Sequence, residues 1–420
     1  MLNKCLTLTV FFFIVLGANV AWGGGLFLYE LATPDVGLAS AGWSARAQNP
    51  STLFTNPAGM SRIKKPSLQG GLQALHLGAE FSQDGNTTTT GSDGDASEWL
   101  PAGSLFYVHP INDKLSAGIG TFGYFGLSAD FGDSWVGRYY ITEVTLQGLV
   151  FSPAVSYRIN DKFSLGAGLM SMYTILEEKA AVNNLDIFGD GEMSIEDATW
   201  SFGANLGILY ELDESTRIGL TYLSPMDLEF SDRPEFKNLG PGLDAILGAL
   251  NINLDLDMTV PQLLMLSAFH QLNPKLAIMG NLGWQEWSEF GKISVAVATD
   301  IVDLDELTAD RDYDDTWHAA LGAQYRFNEK WMGTAGVAFD SSMVDDDSRT
   351  LDMPVGDTWR FGLGGQYEHS ESLSINGGYT LAWVGDLDVD VNRGTRAGRV
   401  SGHYDSVAIH ALTLNATYRF

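Results

Sequence analysis

The chain has 420 residues and is strongly acidic, because 52 Asp and Glu residues against 24 Lys and Arg residues give a formal net charge of −28. This balance argues against nucleic-acid binding, which requires a basic surface to neutralise phosphates. Cys5 is the single cysteine, so the sequence excludes a disulfide scaffold and a thiolate metal site.

The N-terminus has the pattern of a secretory signal peptide. Lys4 supplies a positive charge, residues 6–20 form a short apolar run, and Ala21 and Gly23 are suitable small residues before a cleavage site. We therefore predict that residues 1–23 are removed on export. The alternative is an N-terminal anchor helix, but a membrane-spanning helix needs about 20 apolar residues.

The composition of the remaining chain is typical of a transmembrane β-barrel. The sequence contains 47 Gly and 13 Pro residues, 11% of its residues are aromatic, and the mean hydropathy is close to zero. After the signal segment, no stretch is apolar for long enough to form a membrane-spanning helix. An exported chain of this kind can cross a membrane only as a closed barrel of strands.

A recurrent pattern of strand end, tight polar turn and strand start gives the number of strands. It occurs six times, at 107–120, 156–168, 210–222, 269–281, 324–336 and 366–378. Longer acidic loops are predicted between these turns, at 82–98, 127–142, 179–196, 232–254, 289–312, 343–354 and 386–403. Six short turns that alternate with seven long loops join fourteen strands, with the short turns on the periplasmic side.

The predicted strands alternate apolar and polar residues with a period of two. In the last strand, Leu412, Leu414 and Tyr418 share one face, whereas Thr413 and Asn415 share the other. This period predicts a lipid-facing side and a lumen-facing side. The fold class is therefore all-β, a 14-stranded antiparallel transmembrane β-barrel. The alternative is a secreted soluble β-sandwich or propeller, which would have to bury its apolar face.

Aromatic residues and the C-terminus fit the same prediction. Aromatic side chains stand at strand ends, as in the girdles of outer-membrane barrels, at Tyr107, Tyr157, Tyr210, Trp331 and Tyr367. A final strand that ends in Phe420 is the signal that the barrel-assembly machinery usually recognises in such proteins.

Residues 24–65 do not alternate, so they are predicted to form a separate segment before the barrel of residues 66–420. Irregular backbone is not tolerated in lipid, because its amides and carbonyls find no partners there. The segment is therefore expected inside the barrel lumen as a plug. Within it, Asn56 and Pro57 are suited to a rigid turn.

The stretch AWGGGLFLYELATPDVGLASAGWSARAQNPSTLFTNPAGMSRI resembles the N-terminal hatch of the FadL family of outer-membrane hydrophobic-compound transporters. The shared features are the exported start, the Gly-, Ala- and Ser-rich middle and the triplet Asn56, Pro57 and Ala58. Members of this family are fourteen-stranded barrels with a hatch. The resemblance implies passive uptake of long-chain fatty acids, or of monoaromatic, toluene-like hydrocarbons in some relatives.

The resemblance also implies a route, for which the sequence offers candidate residues. Cargo would be captured between extracellular loops, where the candidates are Phe188, Leu243, Ile246, Leu247 and Leu250. It would pass to a lumen site beside the start of the hatch, with Phe27, Leu28 and Tyr29 against it. It would leave sideways into the membrane at a kink in the third strand, with candidates Gly118, Gly120, Gly123 and Gly126.

A fatty acid carries a carboxylate, which favours a basic partner in a low-dielectric site. Arg326 and Arg360 are candidates, because the alternation places them on lumen-facing positions. The alternative is that they pair with acidic residues of the barrel. The acidic segments 189–192, 300–315 and 344–347 do not have the full spacing of a calcium loop, so we expect no metal and no cofactor.

Other function classes are less well supported by the sequence. A general porin needs a charged constriction and no hatch, and an outer-membrane enzyme needs a nucleophile and a base, for which no convincing motif is present. A structural or adhesin role would predict inert, unselective binding. We expect a monomer of the Gram-negative outer membrane, which contacts a hydrophobic substrate, membrane lipid and lipopolysaccharide.

Overall fold

A computed structural model describes Phe27 and residues 29–184, 189–250, 252–298 and 303–420. Within these residues, fourteen antiparallel strands form a closed wall in which each strand pairs with its neighbours along the chain and β14 pairs with β1. The strands are β1 (Ser67–Gln83), β2 (Glu98–Pro110), β3 (Leu115–Asp130), β4 (Glu143–Arg158), β5 (Phe163–Val182), β6 (Gly191–Glu211), β7 (Thr216–Leu223), β8 (Leu263–Gln271), β9 (Leu276–Gln285), β10 (Thr316–Arg326), β11 (Trp331–Asp340), β12 (Thr358–Glu368), β13 (Leu373–Asn392) and β14 (Arg399–Arg419). The predicted 14-stranded barrel is confirmed.

The six short turns share one hydrogen-bonding device. In each turn of the described chain, one side-chain oxygen accepts hydrogen bonds from two backbone N–H groups that follow it. Such a side chain stabilises the turn and sets the register of the hairpin. The residues that accept are Asn112, Asn160, Asp213, Asn273, Asn328 and Ser370.

The last hairpin differs from the sequence prediction. The predicted seventh loop, residues 386–403, spans only 393–398, because β13 and β14 remain paired as far as Asn392 and Arg399. These two strands therefore extend well beyond the membrane on the extracellular side.

The two faces of the wall follow the predicted alternation. Inward-facing side chains such as Asn281 and Thr380 are buried, whereas outward-facing Leu282 and Leu414 are more than 60% exposed. Two rings of outward aromatic residues bound this apolar band, as expected at the two membrane interfaces. The upper ring includes Trp99, Trp200, Trp317, Trp359 and Trp383, and the lower ring includes Tyr157, Tyr210, Tyr325, Trp331 and Tyr418.

Short elements of the loops cover the extracellular end of the barrel. Within the described chain, four short strands form a separate antiparallel sheet in the order Asp303–Asp310, Lys292–Ala298, Asn253–Val260 and Met226–Asp232. Gly94–Asp95 pairs with β1, and Glu235–Lys237 pairs with β6. The helices are α1 (Thr52–Thr55), α2 (Pro241–Leu250), α3 (Trp287–Phe290), α4 (Gly394–Ala397) and the 3-10 turns Val36–Leu38, Pro57–Arg62 and Asp346–Ser348. Among the described helices, none has the length and apolar character needed to cross a membrane.

The segment before β1 lies inside the barrel and is buried along most of its length. Its backbone forms hydrogen bonds with inward-facing polar side chains of strands that are far apart around the barrel. The N–H of Ala32 donates to Gln73 of β1 at 2.6 Å, the N–H of Trp43 donates to Asn281 of β9 at 3.1 Å, and the carbonyl of Phe54 accepts from Asn205 of β6 at 2.6 Å. The lumen is thus occupied by the chain itself, and we call this segment, Phe27 and residues 29–65, the hatch.

Candidate functional site

Asn56 and Pro57 anchor the hatch to the wall. The side-chain amide of Asn56 donates to the carbonyls of Ser44, at 2.7 Å, and of Ile208 in β6, at 2.9 Å. Its oxygen accepts from the N–H of Ala58 at 3.0 Å, and Pro57 begins the 3-10 turn that follows. One buried side chain therefore joins two parts of the hatch to the barrel.

Replacing this anchor, with Asn56→Ala and Pro57→Ala together, is expected to reduce uptake of hydrophobic cargo while leaving barrel assembly intact. The double variant removes the hydrogen bonds of the Asn56 side chain to the carbonyls of Ser44 and Ile208 and to the N–H of Ala58. Each buried group that is left unsatisfied costs about 1–3 kcal/mol. Uptake in whole cells and the heat-dependent gel mobility of the folded barrel measure the two effects. Normal transport by the double variant would show that this part of the hatch only fills space in the lumen and has no role in uptake.

Glycines of the wall provide the room in which the hatch backbone lies. A Cβ atom at Gly207 would come within 2.1 Å of the Asn56 oxygen, and one at Gly166 within 2.1 Å of the nitrogen of Ala58. The same close approach of hatch atoms occurs at Gly71, Gly219, Gly336 and Gly362 of other strands. Backbone approaches of this kind admit only glycine, so these positions fix the docking of the hatch.

Aromatic rings surround the described start of the hatch. Phe27 packs edge-on against Tyr29, at 4.9 Å between ring centroids, and against Tyr124 of β3, at 5.3 Å. Beside Phe27 is a narrow apolar crevice with a free volume of about 20 Å³. Its walls come from β3, β4, loop residues near β8 and α3, and include Tyr124, Phe125, Leu146, Val260, Trp287 and Phe290.

The third strand separates from the second beside this crevice. Pairing between β2 and β3 ends at Ser104 and Phe122, although β3 continues to Asp130. The register of β3 against β4 shifts between Gly123 and Phe125, which is a β-bulge. Phe27 of the hatch forms an isolated antiparallel bridge with Phe125 at this point.

The four candidate glycines of β3 fall into two pairs. A Cβ atom at Gly118 would meet Leu53 of the hatch at 2.6 Å, and one at Gly120 would meet the ring of Phe106 in β2 at 2.7 Å and Leu53 at 3.4 Å. These two glycines therefore make room for side chains that pack inside the barrel, including Leu53 of the hatch. At Gly123 and Gly126 no described heavy atom lies within 4 Å of the place that a Cβ would take. The second pair therefore flanks the bulge and borders open space.

A polar network lies next to the aromatic rings. Arg360 of β12 donates from Nη1 to both carboxylate oxygens of Glu30 in the hatch, at 2.8 Å each, and from Nε to Asp340 at 2.8 Å. Asp340 also bonds His318 at 2.7 Å, and the His318 ring stacks on Tyr29 with centroids 4.4 Å apart. A substrate carboxylate would have to displace Glu30 or Asp340 to reach Arg360.

Arg326 and Arg360 are not brought together. Arg326 is exposed at the end of β10, and it lines a polar cavity of about 320 Å³ between the hatch and the wall, near the short turns. That cavity also contains Arg62, Glu368 and Arg419. The apolar crevice at Phe27 is a different place, so these two arginines remain only predicted ligands.

The candidate capture residues lie in or near α2. Leu243 and Ile246 are half-buried and Leu247 is buried, and all three pack onto the apolar core. The described apolar face of α2 is therefore covered in this conformation. The side chain of Leu250 and the whole of Phe188 lie outside the described residues, as does Leu28 of the proposed lumen site.

Sequence reasoning missed two features of the site. Glu30 follows Tyr29 directly, but only the fold shows that it pairs with Arg360 in β12. The bridge between Phe27 and Phe125 is likewise a contact between distant parts of the sequence. The alternation of the strands places Arg360 and His318 on lumen-facing positions, which could have indicated the network. No sequence pattern indicates the bridge between Phe27 and Phe125.

These features define an outer-membrane barrel whose channel is occupied by its own N-terminal segment and whose wall is interrupted beside that segment. The chain belongs to the family described as outer membrane protein transport protein (OMPP1/FadL/TodX), whose model matches residues 14–420. It is accordingly a multi-pass protein of the Gram-negative outer membrane.

Relatives and solved structures agree with this membership. The chain is 28% identical over 380 residues to outer membrane protein P1 of Haemophilus influenzae, with 80% of each chain covered. It is 26% identical over 359 residues to a long-chain fatty acid transport protein of Escherichia coli, covering 77% of this chain and 79% of that one.

The folds of two solved structures are also similar. A Pseudomonas aeruginosa FadL homologue matches with a TM-score of 0.84 at 22% identity, covering 94% of this chain and 99% of that one. The Pseudomonas putida toluene transporter TodX matches with a TM-score of 0.68 at 16% identity, covering 92% and 99%. At these identities the similarity concerns the fold.

Proposed function

We propose that the protein takes up hydrophobic molecules passively across the outer membrane, and that long-chain fatty acids are its cargo. The observation that carries the proposal is the parting of β2 and β3 after Phe122, beside an apolar crevice and under the Phe27–Phe125 bridge. If the wall had no such gap, a hydrophobic molecule would meet only a polar lumen, and its entry would be unfavourable.

The proposed route keeps the cargo in apolar surroundings. Cargo is captured among the extracellular loops near α2, enters the crevice at Phe27, and leaves sideways between β2 and β3. The hydrophobic effect favours this path, because the cavity below the hatch is lined by polar and charged groups such as Arg326 and Glu368. In this mechanism the hatch moves locally at its start, at Phe27, and stays anchored at Asn56.

The fatty-acid relatives named above support the first cargo class. A second class, monoaromatic hydrocarbons, is supported by the lining of the crevice, which is aromatic and aliphatic apart from Gln285. With a free volume of about 20 Å³, the crevice has to widen before cargo of either class enters it. The amide of Gln285 already bonds Tyr29 at 2.8 Å and the indole of Trp287 at 2.6 Å, so it does not require a polar ligand.

Uptake of labelled oleate and labelled toluene, measured side by side, tests the proposal. The host cells lack their own hydrophobe transporters and express this chain, and the empty vector is the control. Oleate uptake above the control supports the fatty-acid function, whereas toluene uptake alone would assign the second class. If neither rises while the protein is in the outer membrane, the transport proposal fails and a non-specific porin becomes the better description.

A further inference from the structure

Two histidines face each other on the outer surface of the barrel, where its first and last strands meet. His76 of β1 and His410 of β14 are direct partners across these strands, and their ring centroids lie 6.0 Å apart. The flanking residues Leu75 and Ala411 are buried on the lumen side, so both imidazoles point outward. Closure of the barrel thus brings together two imidazoles from opposite ends of the sequence.

The pair stands at the upper membrane interface. His76 is the direct partner of Trp99 of β2, which belongs to the upper aromatic ring, and the centroids of these two side-chain rings lie 4.7 Å apart. At this level, water and polar lipid head groups replace the hydrocarbon of the bilayer. An ion from the extracellular medium can therefore reach the imidazoles without crossing the apolar band.

The outward positions above the pair are small. Toward the extracellular side, the next outward residues are Gly78 and Ala408, which are direct partners in β1 and β14. Even a Cβ atom at Gly78 would lie 4.0 Å from Cε1 of His76. The imidazoles are thus open on the side from which an ion would approach.

The hydrogen bonding of the two rings leaves a nitrogen of each for a ligand. Nδ1 of His410 lies 2.7 Å from the hydroxyl oxygen of Tyr379 in β13. In the tautomer whose Nδ1–H donates to that oxygen, the lone pair of Nε2 is free, and such a bond orients an imidazole for metal binding. The side chain of His76 makes no hydrogen bond within the described part of the chain.

Paired imidazoles at this spacing match a transition-metal ion. An imidazole nitrogen binds Zn²⁺ at about 2.0–2.1 Å, so two rings that share one ion have centroids about 5–6 Å apart. Within the described ranges of the chain, no group of three or more His, Cys, Asp or Glu residues could hold such an ion. The remaining positions on the ion would therefore be filled by water or by groups from outside the chain.

We propose that His76 and His410 bind one divalent transition-metal ion, of the Zn²⁺ type, on the outer face of the barrel. Imidazole suits zinc, copper and nickel, whereas Ca²⁺ and Mg²⁺ take oxygen ligands, so the pair selects the first group. The ion links β1 to β14 and stabilises the closed barrel, because the site exists only when these strands are paired. The inference does not depend on the proposed uptake function.

Titration calorimetry with Zn²⁺ on the purified full chain, in maltoside detergent and without a polyhistidine tag, tests the proposal. The test variants are His76→Gln and His410→Gln. Each is expected to weaken Zn²⁺ binding by about tenfold or more, because the second ligand of a linked pair acts at a high effective concentration.

The matched control is His109→Gln. His109 is exposed, and its Nδ1 also lies near a tyrosine hydroxyl, that of Tyr107 at 3.1 Å, but its partner in β3 is Ala117 and not a histidine. This variant should bind Zn²⁺ as the parent does.

Two further measurements separate one shared site from two weak ones. In the double variant of His76→Gln with His410→Gln, most of the loss should already be present in each single variant, so the losses should not add. Zn²⁺ should also raise the temperature at which the barrel loses its compact gel mobility, for the parent and for His109→Gln but not for the two single variants. The same gels show that each variant is folded.

Three outcomes would overturn the proposal. The parent might bind no Zn²⁺, in which case the pair is only part of the aromatic ring. Equal losses in His109→Gln and in the two test variants would show weak binding to single surface histidines. Additive losses in the double variant would show two separate ions. In all three cases the proposed uptake of hydrophobic cargo would still stand.

Discussion

A disulfide between residues 27 and 125 is expected to stop uptake, and reduction is expected to restore it. The variant Phe27→Cys with Phe125→Cys places the two sulfurs on an antiparallel bridge, where Cα atoms lie about 4.5–5.5 Å apart, within the span of a disulfide. The bond would hold the start of the hatch across the gap between β2 and β3. Uptake of oleate should then fall by about tenfold or more, because local opening at Phe27 is the gating step of the proposed route.

The chain is well suited to this experiment, since its only native cysteine, Cys5, lies in the predicted signal peptide of residues 1–23. The reduced double variant is the control for the loss of the aromatic rings of Phe27 and Phe125. A second disulfide, made with Ala117→Cys and Val155→Cys, joins positions that already pair in β3 and β4, and it should leave uptake unchanged in both redox states. Full uptake by the oxidised 27–125 variant would rule out movement of Phe27 as a step of transport.

The effect is expected to be large because the bridge joins the backbone of the start of the hatch to the free edge of β3, next to the ring contact between Phe27 and Tyr124. Backbone groups at an unpaired edge are poorly tolerated in lipid. The bridge at Phe125 satisfies part of that edge when the site is empty.

Much of the wall could be predicted because its determinants are local. A turn needs a hydrogen-bonding side chain such as Asn112 or Asn328 at one position. The alternation of a strand can be recognised within about ten residues. Strand number, order and the two faces follow from these signals. The length of the last hairpin was underestimated, because β13 and β14 continue pairing through acidic residues that look like a loop.

The candidate site was harder to predict because its determinants are contacts between distant segments. Glycines occur at 118, 120, 123 and 126 of β3, and their spacing does not distinguish the two that admit the hatch from the two that flank the bulge. The network of Glu30 and Arg360 joins residues 330 positions apart.

Enlarging a single wall glycine, Gly336→Ala, is expected to displace the hatch. A Cβ at this position would lie 1.8 Å from the carbonyl oxygen of Leu38 and 2.3 Å from its carbon, and backbone cannot move aside as a flexible side chain does. Overpacking of this kind costs about 1–3 kcal/mol, which the 3-10 turn Val36–Leu38 must absorb by shifting away from β11.

A shifted hatch should leave water-filled space in the lumen, so single-channel conductance in planar bilayers should rise and protease should reach the hatch more readily. Gly377→Ala is the matched control, because a Cβ there would meet only the carbonyl oxygen of Thr413 at 3.9 Å, and it should behave as the parent. Equal conductance of the two variants would mean that the hatch adjusts without moving. A rise confined to Gly336→Ala would establish that the close approach of the Leu38 backbone to Gly336 is needed to keep the channel closed.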